Sequence, residues 1–519
     1  MLRRLLIAAS VSVSGAICAP GWAQCELTQA SKRRGGSDAT QFGYAIALDA
    51  DRLVVGAPWE RTDVLMQGAA YVFRREGTQW VQEAHLLAGD GQAYDGFGYA
   101  VAIHGDYLAV AALLEDEAAE DAGAVYVFRR DGTTWIEMAK LVPPNGDEED
   151  YFGYSLAINN TRVVVGVRYD DDGGPDAGAA WVFRRADNGT PEDPTDDTWQ
   201  PERKLRAADA DQYDEFGSAV ALAGTQIAVG AYRDEDPIAL AGSVYIFELT
   251  GANWTQTQKL HASDPTAYAE FGRSVALTND YLLVGAPLDS EAGYRAGAAY
   301  VFAREGSAWT QRLKLSAADV APEDQFGNAV AINGNHLLVG AWRHTTTAPL
   351  AGAAYLFRPA GAEWVQDAKL TAGDAEEEDL LGSAVDLGPG LAVLGAPGEG
   401  DLPNTALGAV YTYTGMAVDC NGNDHTDACD LAEDTSLDCN ATHVPDECEA
   451  IANGDFDADA DVDLGDFRAF HDCLGGPGVS PTPTVPECVA ACLAAFDADL
   501  DDAVSLRDFS AFHASFGQP

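Results

Sequence analysis

Hydrophobic and polar positions along this chain alternate in short bursts that return in the same order. In the clearest stretch, Phe97–Ile103 alternates large and small residues, which predicts a strand. His104-Gly105-Asp106 predicts a turn, Tyr107–Ala111 a second strand and Gly123–Arg129 a third. Asp131-Gly132 predicts a hairpin turn, and Trp135–Leu141 a fourth strand. The whole block recurs. Phe-Gly stands at Phe42, Phe97, Phe152, Phe216, Phe271 and Phe326, with Leu381-Gly382 as a degenerate seventh copy, so the spacing is 55 residues everywhere except one step of 64. A Gly-Ala-Pro-like step follows 14 residues later each time, at Gly56, Ala111, Gly166, Gly230, Gly285, Gly340 and Gly395. A period of this length marks an array of identical units.

Four short antiparallel strands repeated seven times predict a mainly β protein with a seven-bladed β-propeller. Side-chain sizes suit a wedge. The inner strands carry Gly and Ala, while the outer strand carries Trp80, Trp135, Trp199, Trp254, Trp309 or Trp364, with a Leu six residues on. Each of these Trp residues is expected in the core. The seventh unit stops near Tyr413 without an outer strand. Glu26-Leu27-Thr28 matches Lys369-Leu370-Thr371, so the mature N-terminus is expected to supply the missing strand and close the ring.

Phe-Gly with Gly-Ala-Pro at constant spacing resembles the FG-GAP repeats of the integrin alpha-subunit propeller, over about three-quarters of the chain. The resemblance implies an extracellular binding or adhesion module. The integrin family carries calcium in an Asp-rich loop between the first and second strands. Here that connection is short, as in Asn333-Gly334-Asn335, and the resemblance does not extend to those sites.

Composition sharpens the picture. The 519 residues have a formal charge of −51, which excludes nucleic acid as a partner, because phosphates require Lys and Arg. Arg3 and Arg4 precede an apolar run from Leu5 to Ile17, and Gly21-Trp22-Ala23 offers a cleavage site, so residues 1–23 read as a secretory signal. A lipoprotein reading centred on Cys25 is weaker, since Gln24 is large. No stretch is long enough to span a bilayer. Loss of Cys18 with the signal leaves eight of nine cysteines, an even count that suits disulfides in an exported protein.

In a propeller the fourth-to-first and second-to-third connections share one face. Here they are acidic, as in Asp147-Glu148-Glu149-Asp150, while the opposite hairpins hold Arg pairs such as Arg129-Arg130. An Asp or Asn recurs seven residues before Phe-Gly (Asp90, Asn145, Asp209, Asp264, Asp319, Asp374), and an Asp two before (Asp95, Asp150, Asp214, Asp324, Asp379). Both series are expected to cap turns rather than bind metal. Just after the Gly-Ala steps, an aromatic lies next to Arg in four blades: Trp59 with Arg61, Arg168-Tyr169, Tyr232-Arg233 and Trp342-Arg343. Aromatic faces with guanidinium groups suit a glycan or protein ligand at the channel mouth.

Beyond the propeller (24–416), composition turns acidic. Residues 417–450 hold a tandem in which Cys420 and Cys429 recur as Cys439 and Cys448. Two oxygen-ligand series surround them: Asp419, Asn421, Asn423, Asp427 and Asp430, then Asp438, Asn440, Thr442, Asp446 and Glu449. Residues 451–519 hold two EF-type loops, Asp455, Asp457, Asp459, Asp463 and Asp466, then Asp497, Asp499, Asp501, Ser505 and Asp508, each running into a helix. Hard oxygen donors at positions one, three, five, nine and twelve predict calcium. The first segment resembles Cys-containing Asp/Asn repeats of secreted planctomycete-type proteins. The second is similar to a dockerin type I domain, which implies a cohesin-like partner. Leu464-Gly465 and Leu506-Arg507 stand where that family often uses Ser-Thr for recognition.

The resulting reading is an exported, non-enzymatic recognition module with a calcium-binding assembly or anchoring tail. Two rivals are a propeller hydrolase acting on polysaccharide through paired carboxylates and a structural cell-envelope protein.

Overall fold

The computed structural model describes residues 28–414, apart from 36–39, 78, 187, 189–193, 335, 361–362 and 401–406. The predicted signal (1–23), the Cys/Asp/Asn segment (417–450) and the paired EF-type loops (451–519), with every calcium ligand named above, lie outside the described residues. The chain forms seven four-stranded antiparallel sheets, a seven-bladed propeller as the repeat predicts. In blade 2 the strands are Phe97–His104, Tyr107–Ala112, Ala124–Asp131 and Thr134–Leu141, within two residues of the positions expected from alternation. The first strand of each blade packs against its neighbours around the axis, and the fourth is outermost.

The Phe-Gly and Gly-Ala-Pro motifs are one device seen from two blades. A Cβ on Gly56 would lie 2.0 Å from the Gly98 carbonyl oxygen of the next blade. Gly98 has φ +96°, and its own Cβ would meet the Ala69 carbonyl at 2.2 Å. Only glycine permits both the left-handed backbone and the approach. The same contact closes the ring, where Gly395 would meet the Gly43 carbonyl at 2.1 Å. Each motif Phe then staples its blade to the preceding one: the Phe97 N–H donates to the Gln67 carbonyl at 2.9 Å, and Phe152 to Ala122 at 2.7 Å. The phenyl ring meets a tyrosine of its own blade edge-on, Phe97 with Tyr126 at 5.5 Å between centroids. Trp80, Trp135, Trp199, Trp254 and Trp309 are buried between blades, as expected, and Trp364 is half-buried.

The seventh blade joins both ends of the chain. Its strands Ala384–Gly388, Leu391–Ala396 and Ala409–Thr414 are completed by Thr28–Arg34, which pairs antiparallel with the last of them. The N-terminal segment therefore closes the ring, but six residues out of the expected register. Lys32 stands opposite Tyr411, as Lys369 stands opposite Tyr355, and Arg33 takes the place expected for Leu27. Polar contacts set this register. Gln29 accepts the Gly373 N–H at 2.9 Å, as Gln366 accepts that of Ala318, and Lys32 reaches two carboxylates of the blade. The matching sequence is Gln29-Ala30-Ser31-Lys32 against Gln366-Asp367-Ala368-Lys369, not the Leu-Thr pair.

Candidate functional site

Four residues after the first residue of each Gly-Ala-like step stands a buried polar side chain: Glu60, Glu115, Asp170, Asp234, Asp289, His344 and Glu399, each at most 5% exposed. Carboxylates at these positions are too costly to bury unpaired, and a cation from the outer strand meets them. In blade 2, Lys140 bonds Glu115 at 2.8 Å, Glu117 at 2.7 Å and Asp90 at 2.7 Å, while the Tyr126 hydroxyl donates to Asp90 at 2.6 Å. Lys259 repeats this with Asp209 and Asp234 (2.7 and 2.8 Å), and Lys314 with Asp264 and Asp289 (2.8 and 3.1 Å). Lys204 pairs with Asp170 and Asp172, and Lys32 with Asp374 and Glu399. Blade 1 substitutes His85 on Glu60 at 3.0 Å, and blade 6 substitutes His344, whose Nε2 lies 2.7 Å from Lys369.

The acids seven residues before Phe-Gly therefore do not serve mainly as turn caps. Asp90, Asp209, Asp264, Asp319 and Asp374 bind a lysine, and all five are held below the usual carboxylate range, because the lysine, joined by a tyrosine hydroxyl at all but Asp264, outweighs the upward push of burial. The lysine and tyrosine lie about 50 and 36 residues away in sequence, beyond any local signal. Asp90, Glu115 and Glu117 place their oxygens within 4.8 Å of one another, a cation-binding geometry that the Lys140 ammonium fills. The acids two residues before Phe-Gly do cap turns. Asp95, Asp150, Asp214, Asp324 and Asp379 each accept the backbone N–H three positions earlier, at 2.7–2.8 Å. Burial, with neighbouring acids adding to it, pushes Asp214 up to about 7 and Asp150 and Asp379 to about 6.

These networks repeat, so they explain the ring rather than a ligand. The repeat breaks at the channel mouth between blades 3 and 5. Arg168 donates through Nε to Glu215 at 2.5 Å, through Nη1 to the Tyr154 hydroxyl at 2.8 Å and through Nη2 to the Tyr232 hydroxyl at 2.5 Å. Arg233 bonds the other Glu215 oxygen at 2.7 Å. The Arg168 guanidinium lies 4.7 Å from the Tyr169 ring centre and 5.4 Å from that of Tyr232. Arg273 also stands 5.3 Å from the Tyr232 ring centre. From Tyr154 an arc of rings runs around the channel, through Tyr99 at 5.7 Å to Tyr44 at 5.1 Å. Burial pushes the Tyr154 hydroxyl up, but the Arg273 and Arg168 charges outweigh it and leave the group below its ordinary value. Burial holds the Tyr232 hydroxyl well above its own.

Of the predicted ligand residues, Arg168, Tyr169, Tyr232 and Arg233 thus converge on Glu215. Trp342 and Arg343 form a separate pair, 5.5 Å between guanidinium and ring, with the indole N–H on Gln325 at 2.8 Å. Trp59 lies over Gly96 of the next blade and Arg61 is exposed, and neither joins the blade 3–5 cluster. Tyr154, Glu215 and Arg273 were not foreseen. Only Arg273 carries a signal in this series: two residues after the motif Phe the seven copies read Tyr44, Tyr99, Tyr154, Ser218, Arg273, Asn328 and Ser383.

Among the described residues no helix is long and apolar enough to cross a membrane. No curated protein matches the chain. Among solved structures, a chain from "Crystal Structure of Mitotic Checkpoint Complex" is similar at 10% identity and a TM-score of 0.44, over 79% of this chain and 99% of that one. The FG-GAP repeat matches seven segments, 34–73, 80–128, 135–183, 199–247, 254–302, 309–357 and 364–413, one for each blade. The chain belongs to the FG-GAP repeat family.

Proposed function

We propose that this protein is an exported, non-catalytic recognition module that holds an extracellular glycan or protein ligand at the channel mouth of its propeller. One observation carries the reading: in a ring whose polar side chains otherwise repeat, Arg168, Tyr169, Tyr232, Arg233 and Arg273 break the pattern and meet one another. Structural roles recur with the repeat, and a ligand site need not. The carboxylates that a paired-acid hydrolase would use are engaged in the blades by lysine, tyrosine or backbone N–H, which supports recognition over hydrolysis.

The sequence supports the remaining parts of this reading. Residues 1–23 direct export, 24–416 form the recognition domain, and 417–450 carry Cys-bearing loops. Residues 451–519 form paired calcium loops on Asp455, Asp457, Asp459, Asp463 and Asp466, and on Asp497, Asp499, Asp501, Ser505 and Asp508. That tail serves assembly or anchoring, with a cohesin-like protein as a candidate partner.

The test is an array of glycans and secreted proteins probed with the purified chain and with a Tyr169→Ala/Arg233→Ala variant. Both side chains are half-buried at the rim, so the variant is expected to fold. Wild-type binding that the double variant loses is the expected result. Binding that survives places the ligand surface elsewhere.

A further inference from the structure

We infer that the channel mouth between blades 3 and 5 is a carboxylate-binding site built for a uronic-acid residue on an otherwise neutral glycan. The inference rests on the recognition reading above and specifies its ligand. Three guanidinium groups, Arg168, Arg233 and Arg273, gather there with Glu215 and Glu270, and Asp176 lies within electrostatic reach of the first two. This is a local concentration of cations in a chain whose formal charge is −51.

Two of the three arginines are tied to a buried carboxylate. Glu215, 1% exposed, is clasped by Arg168 and Arg233, and Arg168 also donates to Tyr154 and Tyr232. Arg273 differs. Among the described residues its guanidinium makes one hydrogen bond, a long 3.5 Å contact to the Tyr154 hydroxyl. It lies in the bend just before the first strand of blade 5, Ser274–Leu277, and is partly exposed; among the described residues its other donors have no such partner. A guanidinium fork fixed by an aromatic face matches a carboxylate in two parallel hydrogen bonds. Tyr232 holds the Arg273 fork from one side at 5.3 Å and Tyr154 receives its edge.

The surroundings choose among carboxylates. The acidic loops of the same face repel polyanions at long range, whereas one carboxylate on a neutral body meets little of that field before it reaches Arg273. The tyrosine arc from Tyr154 to Tyr44 places partly exposed rings beside the arginine, with Arg168 over the Tyr154 ring, and aromatic rings suit the apolar faces of sugars. A peptide carboxylate would use the arginine but leave that arc idle.

The test is calorimetric titration of the full-length protein with three probes: a trisaccharide ending in glucuronic acid, the same trisaccharide with its carboxyl reduced to the alcohol, and a neutral peptide ending in a free carboxylate. The acid sugar is expected to bind. Reduction of the carboxyl should weaken binding about tenfold or more, as expected for loss of a charge-assisted pair. Arg273→Gln should produce the same loss on the acid sugar and none on the reduced one. Arg273→Lys should recover part of it, and both variants should keep the wild-type melting temperature. Equal binding of acid and reduced sugars overturns the inference without any variant. Binding of the peptide alone, or unchanged binding by Arg273→Gln, overturns it too. Array ligands that lack a carboxylate yet depend on Tyr169 and Arg233 would leave the recognition reading standing while removing this one. No ligand for the propeller at all would remove both.

Discussion

Replacing the outer-strand lysines one at a time with methionine tests what holds each blade to its buried acid. Methionine keeps the apolar stem over the tyrosine ring, and all three lysines compared here lie 5.0–5.7 Å from such a ring, so the lost cation–π contact is common to the set. What differs is the partner. Lys140→Met strands Glu115, whose side chain is 4% exposed. Breaking a buried pair in this way costs about 3–5 kcal/mol. Lys140 is itself 16% exposed, and Asp90 and Glu117 are more than half exposed, so about 2–4 kcal/mol is expected here. Lys32→Met strands Glu399, but Arg34 also bonds that carboxylate, which lowers the expectation to about 1–2 kcal/mol. Lys369→Met leaves a histidine and the half-exposed Asp319, and should cost less than about 1 kcal/mol. Urea unfolding followed by the fluorescence of the buried outer tryptophans reads the ranking through midpoints at constant slope. A Lys369→Met variant as damaged as Lys140→Met would refute the buried-carboxylate account.

Three further outcomes follow from the same geometry. Gly98→Ala should reduce stability by more than about 2 kcal/mol, because the new Cβ meets the Ala69 carbonyl and the backbone is left-handed; soluble expression and a thermal melt check it. Asp386, which replaces the alanine of the other blades, is pushed up to about 6 by burial. A carboxyl raised on folding binds its proton more tightly in the folded state, so its penalty grows as pH rises from about 4 to about 6 and then stays constant. Asp386→Asn should therefore raise the melting temperature at pH 7.5, with a gain that shrinks as pH falls below 6; an equal gain at pH 4 would contradict the burial account. Finally, chelation of calcium should leave the propeller melt unchanged, since lysine ammonium groups fill the blade carboxylate clusters, while it unfolds residues 450–519. Limited proteolysis of the full chain with and without chelator reads both halves, and a propeller melt lowered by chelator would contradict the lysine assignment.

Much of the ring was legible because its causes are local. Alternation marks strands, Asp131-Gly132 marks a hairpin, and the large tryptophans at fixed phase mark the outer wall. The turn caps at Asp95 and its repeats were legible for the same reason, since donor and acceptor lie three residues apart. The partners of Asp90 and its repeats were not, because Tyr126 and Lys140 reach it only once the blade has folded. The closing strand shows both sides of this. That the N-terminus completes the last blade follows from the missing strand, but its register follows from Lys32 reaching Glu399, which no comparison of apolar residues reveals. At the channel mouth, neighbours in sequence such as Tyr232-Arg233 were visible. Glu215, which joins Arg233 to Arg168, was hidden in the preceding connection.

The distinction between repeated and unrepeated residues explains why an acidic protein can still recognise something specific. A seven-fold ring presents the same polar network in nearly every blade, and in each copy the buried acid is already paired with a lysine or histidine, so the repeated network singles out no preferred place to bind. Selectivity must come from side chains that the blade geometry does not require. Arg168, Tyr232 and Arg273 meet that condition, because the other blades fold with proline, leucine or tryptophan at the first two positions and with tyrosine, serine or asparagine at the third. Their mutual bonds fix the arginines before a ligand arrives, which lowers the ordering cost of binding. The rigid ring supplies that preorganisation, and the broken symmetry supplies the chemistry.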